Sequence, residues 1–209
     1  SADISPAIGS TGTWSAASIP VATTVNPIND APTITALAGT PGLTIVEQQA
    51  APVRLDADGS VSVFDQELNV SGNNWNLATL TVRRSGTAAA SDVFSFVDDS
   101  PTVGVGVETA GANLVVDGIT IGTFTNVGGS LVVTFNSSAT AAQVGKAMGA
   151  VAYRNTSDTP PASVQINFIL NDANSNVTGG GTAGGGQNQG GGGQLSAQSS
   201  VTVAITPVN

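Results

Sequence analysis

Apolar and polar residues alternate in short runs along most of this chain, and most runs stop at or near Gly, Pro, Asn or Asp. Leu77-Ala-Thr-Leu-Thr-Val-Arg83 sets Leu80 and Val82 on one face against Thr79, Thr81 and Arg83 on the other. That period of two marks a half-buried strand. Val93-Phe-Ser-Phe-Val97 alternates in the same way, and Val164, Ile166, Phe168 and Leu170 share one face of a further strand. Shorter strands are predicted at Thr33–Leu37, Leu43–Val46, Val53–Leu55, Val61–Phe64 and Leu131–Phe135, and the chain returns to strand from Leu195. Asn113 to Phe124 reads as a hairpin turning at Asp117-Gly118, a pair suited to a type I′ turn. Asn69 to Asn76 reads as a polar loop. Helical spacing occurs in one place, Thr140 to Tyr153, where Val144, Met148 and Val151 recur at i, i+4 and i+7 behind a capping Thr140 or Ser138. About nine to eleven strands, one helix and no βαβ alternation predict an all-β sandwich.

Two features divide the chain. The last nine residues, Val201 to Asn209, restate Val21 to Asn29: Val21/Val201, Pro27/Pro207 and Asn29/Asn209 are identical, and Val25/Ile205 and Ile28/Val208 are conservative. A segment recurring once per domain length is the mark of a unit from a tandem array. Residues 1–29 therefore read as the last strand of a preceding repeat plus linker, with an edge-type strand at 19–28, and 30–209 as one repeat. The second feature is residues 179–193, ten of which are glycine. Such a stretch buries too little apolar area to offset its ordering entropy, so it reads as a surface insertion between the last two strands.

Composition sharpens this. Charged residues make up only 9% of the chain, so Thr, Ser, Asn, Gln and Gly must form its surface. Fourteen acids against five bases give a net charge of −9, which repels phosphate backbones and argues against a nucleic-acid partner. The acids serve either solubility or the holding of a divalent cation. With no Cys and no His, disulfides, thiolate sites, the commonest bases and thiol nucleophiles are excluded. No apolar run reaches the roughly 18 residues of a membrane span, and Ser1-Ala-Asp-Ile lacks the basic start of a signal peptide.

Several segments together carry a resemblance: Val25-Asn-Pro-Ile-Asn-Asp-Ala-Pro-Thr33, Glu47, Leu55-Asp-Ala-Asp58, Phe64-Asp-Gln-Glu67, Ala78 to Gly86, Asp92 to Phe96, Tyr153 to Pro161, and Phe168-Ile-Leu-Asn-Asp172. Their order and spacing resemble the cadherin-like, immunoglobulin-type repeats of large bacterial surface adhesins of the RTX type, over residues 30–209. The resemblance implies an immunoglobulin- or cadherin-like β-sandwich with one short helix and a Gly-rich loop insertion. It also implies an extracellular, cell-surface fibre that supports adhesion and biofilm, with neighbouring repeats as partners and Ca²⁺ stiffening the joints. The matching ligand positions are Asn29 and Asp30 in the linker, Glu47 in an early loop, Asp65 and Glu67 as an acidic pair, and Asp172 after a core strand. The acidic motifs are sparser than in eukaryotic cadherins.

Asp56, Asp58 and Asn174 are weaker candidates. Asp56-Ala-Asp58-Gly59-Ser60 begins like an EF-hand, and Glu67 stands at position twelve, but the glycine is at position four and strands flank it. An Asx-stabilised turn explains Asp56 and Asp58 as well as a ligand role does. Asn171-Asp-Ala-Asn-Ser-Asn176 presents oxygens at alternate positions, as a second ligand loop or as a polar turn. The Gly-rich stretch has neither the Asp of calcium-binding nonapeptides nor the Lys-Ser/Thr of a phosphate loop. Arg83-Arg84 reads as a solvated strand end. Trp75, flanked by Asn, either contacts a sugar or folds back on the sandwich edge. The expectation is a non-enzymatic module, with a sugar- or protein-binding module or a subunit of a strand-exchange fibre as rivals. No membrane insertion is expected.

Overall fold

The structure is a computed structural model and describes residues 28–37, 43–70, 72–98, 102, 104–174 and 189–208. The strand expected at 19–28 lies outside these residues except for Ile28, as do the turn residues 39–42, residues 179–188 of the Gly-rich stretch, and Asn209.

The chain is mostly β. In order, the elements are β1 (Thr33–Thr35), β2 (Thr44–Val46), β3 (Val53–Arg54), β4 (Ser62–Phe64), α1 (Gln66–Val70), β5 (Thr79–Arg84) and β6 (Asp92–Phe96). There follow β7 (Val107–Ala110), β8 (Asn113–Val116), β9 (Ile119–Val127), β10 (Ser130–Phe135), α2 (Ala141–Gly149), β11 (Val151–Asn155), β12 (Ser163–Asn171) and β13 (Ser196–Thr206). Eight strands form one sheet in the order β2-β13-β12-β5-β10-β9-β8-β7, while β3-β11-β6 and β1-β4 form smaller sheets.

Register explains the sandwich-like arrangement. Leu80 lies opposite Val133 and Leu170, and Val82 opposite Leu131 and Phe168, so one face of the large sheet is a continuous apolar surface. It shares a single core with Phe94 and Tyr153 of the three-stranded sheet, Val63 of β4 and Met148 of α2. The other face carries Thr79, Thr81, Gln165, Gln198 and Thr202, as the alternation predicted.

Most predicted strands appear, trimmed by a residue or two. Asp117 (φ 51°) and Gly118 (φ 76°) both take the left-handed conformation that a type I′ turn requires. Thr140 caps α2: its hydroxyl accepts the Gln143 N–H while the Gln143 side chain receives the Thr140 N–H, completing a capping box.

Three expectations change. The helix ends at Gly149, and Val151 starts β11 paired with Phe96 of β6, while the glycines of α2 pack closely on the 56–62 segment. A Cβ on Gly145 would stand 3.0 Å from the Val61 carbonyl oxygen, and one on Gly149 would stand 3.3 Å from the Asp56 carboxylate. The second change is α1, an additional helix of five residues, too short to show a 3.6-residue period. The third is the polar loop after it, which folds inward: Trp75 follows the folded-back alternative, but lies fully buried in the core and not at an edge, with its main-chain N–H bonded to the Ala139 carbonyl. No helix among the described residues is long and apolar enough to cross a membrane.

Candidate metal centre

Asp65 joins β4 to α1. Its Oδ1 accepts the N–H groups of Glu67 (3.0 Å) and Leu68 (2.9 Å), the bonds of a helix N-cap. Its Oδ2 is buried and has no hydrogen-bond donor. The pairing of β1 with β4, Thr33 opposite Phe64, carries the preceding residues to the same place. Asp30 N donates to Glu67 Oε2 at 3.2 Å.

Asp172 follows the last residue of β12, where Asn171 pairs with Thr79 on one side and Ser196 on the other. It is fully buried. Its carboxylate receives Asn29 Nδ2 (2.6 Å), Asn174 N (3.0 Å) and Leu195 N (3.0 and 3.2 Å). Asn29 also donates from Nδ2 to the Gly193 carbonyl (3.0 Å) and from its main chain to the Gly191 carbonyl (2.9 Å). Its Oδ1 is buried with no donor.

Thus Asn29, Asp30, Asp65, Glu67, Asp172 and Asn174 gather at one end of the large sheet. Burial pushes the Asp65 carboxyl up to about 6 against the pull of the Leu68 N–H, and the charges of Glu67 and Asp172 push the same way. A carboxyl that binds its proton more tightly folded than unfolded favours the fold below about pH 4, and that contribution is lost as pH rises through about 6. In chelator, wild type should therefore lose at most about 3 kcal/mol of stability across this window relative to Asp65→Asn, which keeps the cap but carries no charge. Urea midpoints of the two proteins at pH 4 and pH 7 measure this; parallel pH profiles would refute it.

Glu47 is not part of this cluster. β2 runs parallel to the far end of β13, with Val46 opposite Thr206, so Glu47 accepts the Val208 N–H at 3.0 Å. From Ser196 beside Asp172 to Thr206 beside Glu47, the eleven-residue β13 spans about 33 Å. The expected single ligand set is split between opposite ends of the sheet because sequence order does not reveal which end of β13 the early strand joins. Asp56 and Asp58 sit at the start of β4, away from Asp65. Asp56 Oδ2 accepts the Val61 N–H, and exposed Asp58 accepts the N–H and hydroxyl of Ser60, the bonds that lower its pKa. The Asp58 bond to Ser60 N is that of an Asx turn, whereas the Asp56 bond reaches five residues on and closes the loop before β4.

Among the described residues, no three His, Cys, Asp or Glu side chains converge as metal ligands. The donor chemistry of the Asn29–Asp65–Glu67 corner still fits calcium, which takes about six to eight oxygens, amide and carbonyl oxygens included. Asp65 Oδ2 and Asn29 Oδ1 are buried oxygens lacking donors, and the ion pairs recorded among the described residues, Arg84–Asp92 and Lys146–Asp117, lie elsewhere. Asp172 fits less well as a ligand, since N–H donors occupy both its oxygens. It positions Asn29.

Two polar groups escaped the sequence reading. Arg84, read as solvated, turns inward to Asp92, which also accepts from Tyr153 and Asn155. Burial first, and then the bond to Asp92, push the Tyr153 hydroxyl up to about 12. Gln189, hidden in the Gly-rich stretch, is fully buried beside Asp172. No family model, no curated protein and no solved structure matches the chain.

Proposed function

We propose that the chain is a structural module of a tandem extracellular fibre on a bacterial surface, an immunoglobulin- or cadherin-type sandwich whose joint with the preceding segment is stiffened by Ca²⁺. The observation that carries this reading is the seat of the linker. Asn29 is bonded to Asp172 and Asp30 to Glu67, and two buried oxygens, Asp65 Oδ2 and Asn29 Oδ1, lack donors. A buried acceptor without a donor costs about 1–3 kcal/mol, and a cation relieves it. Asn29, Asp30, Asp65 and Glu67 would hold the ion, with Asp172 orienting Asn29. The ion would supply positive charge that cancels carboxylate repulsion and fixes the angle between linker and sandwich. Glu47, beside Val208, would serve the joint at the opposite end. The role is mechanical and not catalytic, and the partners are neighbouring repeats.

A two-module protein containing one complete joint tests this. At calcium about a hundredfold above Kd, binding contributes about 2.7 kcal/mol, and Tm should rise by roughly 5–10 °C. Scattering should show a longer, narrower distribution of particle lengths, and proteolysis near Asn29–Asp30 should slow. An unchanged Tm together with unchanged scattering would sink the proposal.

A second reading, a module that binds a sugar or protein ligand, rests on an open cleft of about 500 Å³ lined by Arg54, Asp58, Val105, Asp117 and Lys146. A glycan array that stays blank for the isolated module would disfavour it. Strand exchange finds less support: β13 already fills the position between β12 and β2, and Ile28 bridges to Gly191 of its own chain.

A further inference from the structure

We propose that Gln189 is a ligand of the same cation, so that one divalent ion ties the returning limb of the Gly-rich insertion to the linker. This rests on the calcium reading above and adds a residue and a chain segment to it. The limb, Gln189 to Gly193, is built into the joint. Ile28 forms a parallel bridge with Gly191, Asn29 bonds the carbonyls of Gly191 and Gly193, and Asn174 Nδ2 donates to the Gly190 carbonyl at 3.1 Å.

Gln189 itself is fully buried, a rare condition for glutamine. Its Nε2 donates to the main-chain carbonyl of Asp172 at 3.1 Å, and its Oε1 has no donor. This orientation of the amide is chemically forced. Exchanging nitrogen and oxygen would set the amide oxygen against the Asp172 carbonyl, acceptor to acceptor. The same holds for Asn29, whose nitrogen faces the Asp172 carboxylate and the Gly193 carbonyl. Both amides thus commit their nitrogens to the Asp172 neighbourhood and leave an oxygen without a donor.

Asp65 Oδ2 is a third such buried oxygen, beside Glu67, to which the linker bonds through Asp30 N. Two of these three buried oxygens belong to amides bonded to Asp172, and no Lys or Arg ion pair recorded among the described residues supplies positive charge to them. Two neutral amide oxygens beside carboxylates suit the larger, more adaptable shell of Ca²⁺ better than the strict octahedron of Mg²⁺.

The test is calorimetric titration of the full chain with Ca²⁺ and with Mg²⁺ after chelator treatment, for wild type, Gln189→Ala, Gln189→Glu and the exposed neighbour control Gln194→Ala. Gln189→Ala should weaken Ca²⁺ binding by about tenfold or more, Gln189→Glu should tighten it, and Gln194→Ala should leave it unchanged. Mg²⁺ should bind more weakly than Ca²⁺ in every case. The Gln189 side-chain amide signals should also shift on adding Ca²⁺ while those of Gln194 stay still. If wild type binds Ca²⁺ and a folded Gln189→Ala binds equally well, the Gln189 assignment is overturned while the calcium joint stands. If Gln189→Ala does not fold, an unchanged affinity in Gln189→Glu overturns the assignment instead. Absence of Ca²⁺ binding by wild type overturns both.

Discussion

Replacing Arg84 by Met is expected to destabilise the fold by about 3–5 kcal/mol, because it strands a buried charge. Asp92 is 2% exposed, and Arg84 grips it with two nitrogens, Nε on Oδ2 at 2.8 Å and Nη2 on Oδ1 at 2.7 Å. Tyr153 Oη (2.7 Å) and Asn155 Nδ2 (2.9 Å) converge on the same Oδ1. Arg84 belongs to the large sheet, and the other three to the small one, so the group ties the two layers together. Without the guanidinium, the remaining neutral donors do not balance the carboxylate. For a chain of this size, the loss corresponds to a fall in Tm of roughly 6–20 °C. Adding Asp92→Asn to Arg84→Met should recover part of it, since the neutral amide still offers Tyr153 an acceptor. Urea unfolding of wild type, single and double variants measures this. An Arg84→Met protein within about 0.5 kcal/mol of wild type, the range of ordinary surface changes, would return Arg84 to a solvated strand end.

The second large effect is expected at Trp75. Truncation to Ala should cost about 3–5 kcal/mol, the range for a buried aromatic removed from a closed core. The indole is fully buried in the core that also contains Leu68 of α1 and Ala139 before α2. Trp75→Phe should cost distinctly less, because the indole Nε1 has no hydrogen-bond partner to lose. Near-UV circular dichroism and thermal unfolding of both variants test the order. A Trp75→Ala protein with wild-type stability but altered sugar binding would restore the other role open to a Trp set between asparagines.

How much of this could be read from the chain depends on the residue. Alternation placed Leu80 and Val82 inward correctly, and carried one position further it turns Arg84 inward too. The general preference of charge for solvent pointed the other way, and it lost because Asp92 waits on the inner side. The Asp117-Gly118 turn and the Thr140 cap were legible because each is a local device whose chemistry lies within four residues. At the site, Asp65 and Glu67 are neighbours in sequence and stayed neighbours, and the linker residues joined them through β1–β4 pairing. Glu47 was misplaced because its position depends on a parallel pairing with β13, a contact spanning most of the chain. Gln189 gave no signal, since a residue inside a glycine run has no periodic context from which burial can be inferred.

The separation of Ile28 and Val208 along β13 has a mechanical consequence. Tension applied through Ile28 and Val208 would pull the sandwich from opposite ends, along the axis of β13. The nine residue pairs that join β13 to β12, and the three that join it to β2, would then resist sliding all at once. A sheet anchored in this way yields by shear, with its bonds strained simultaneously. A hairpin pulled open from one end gives way one rung at a time. Under such a load, the strongest seam of the fold is therefore the one that lies along the direction of pull.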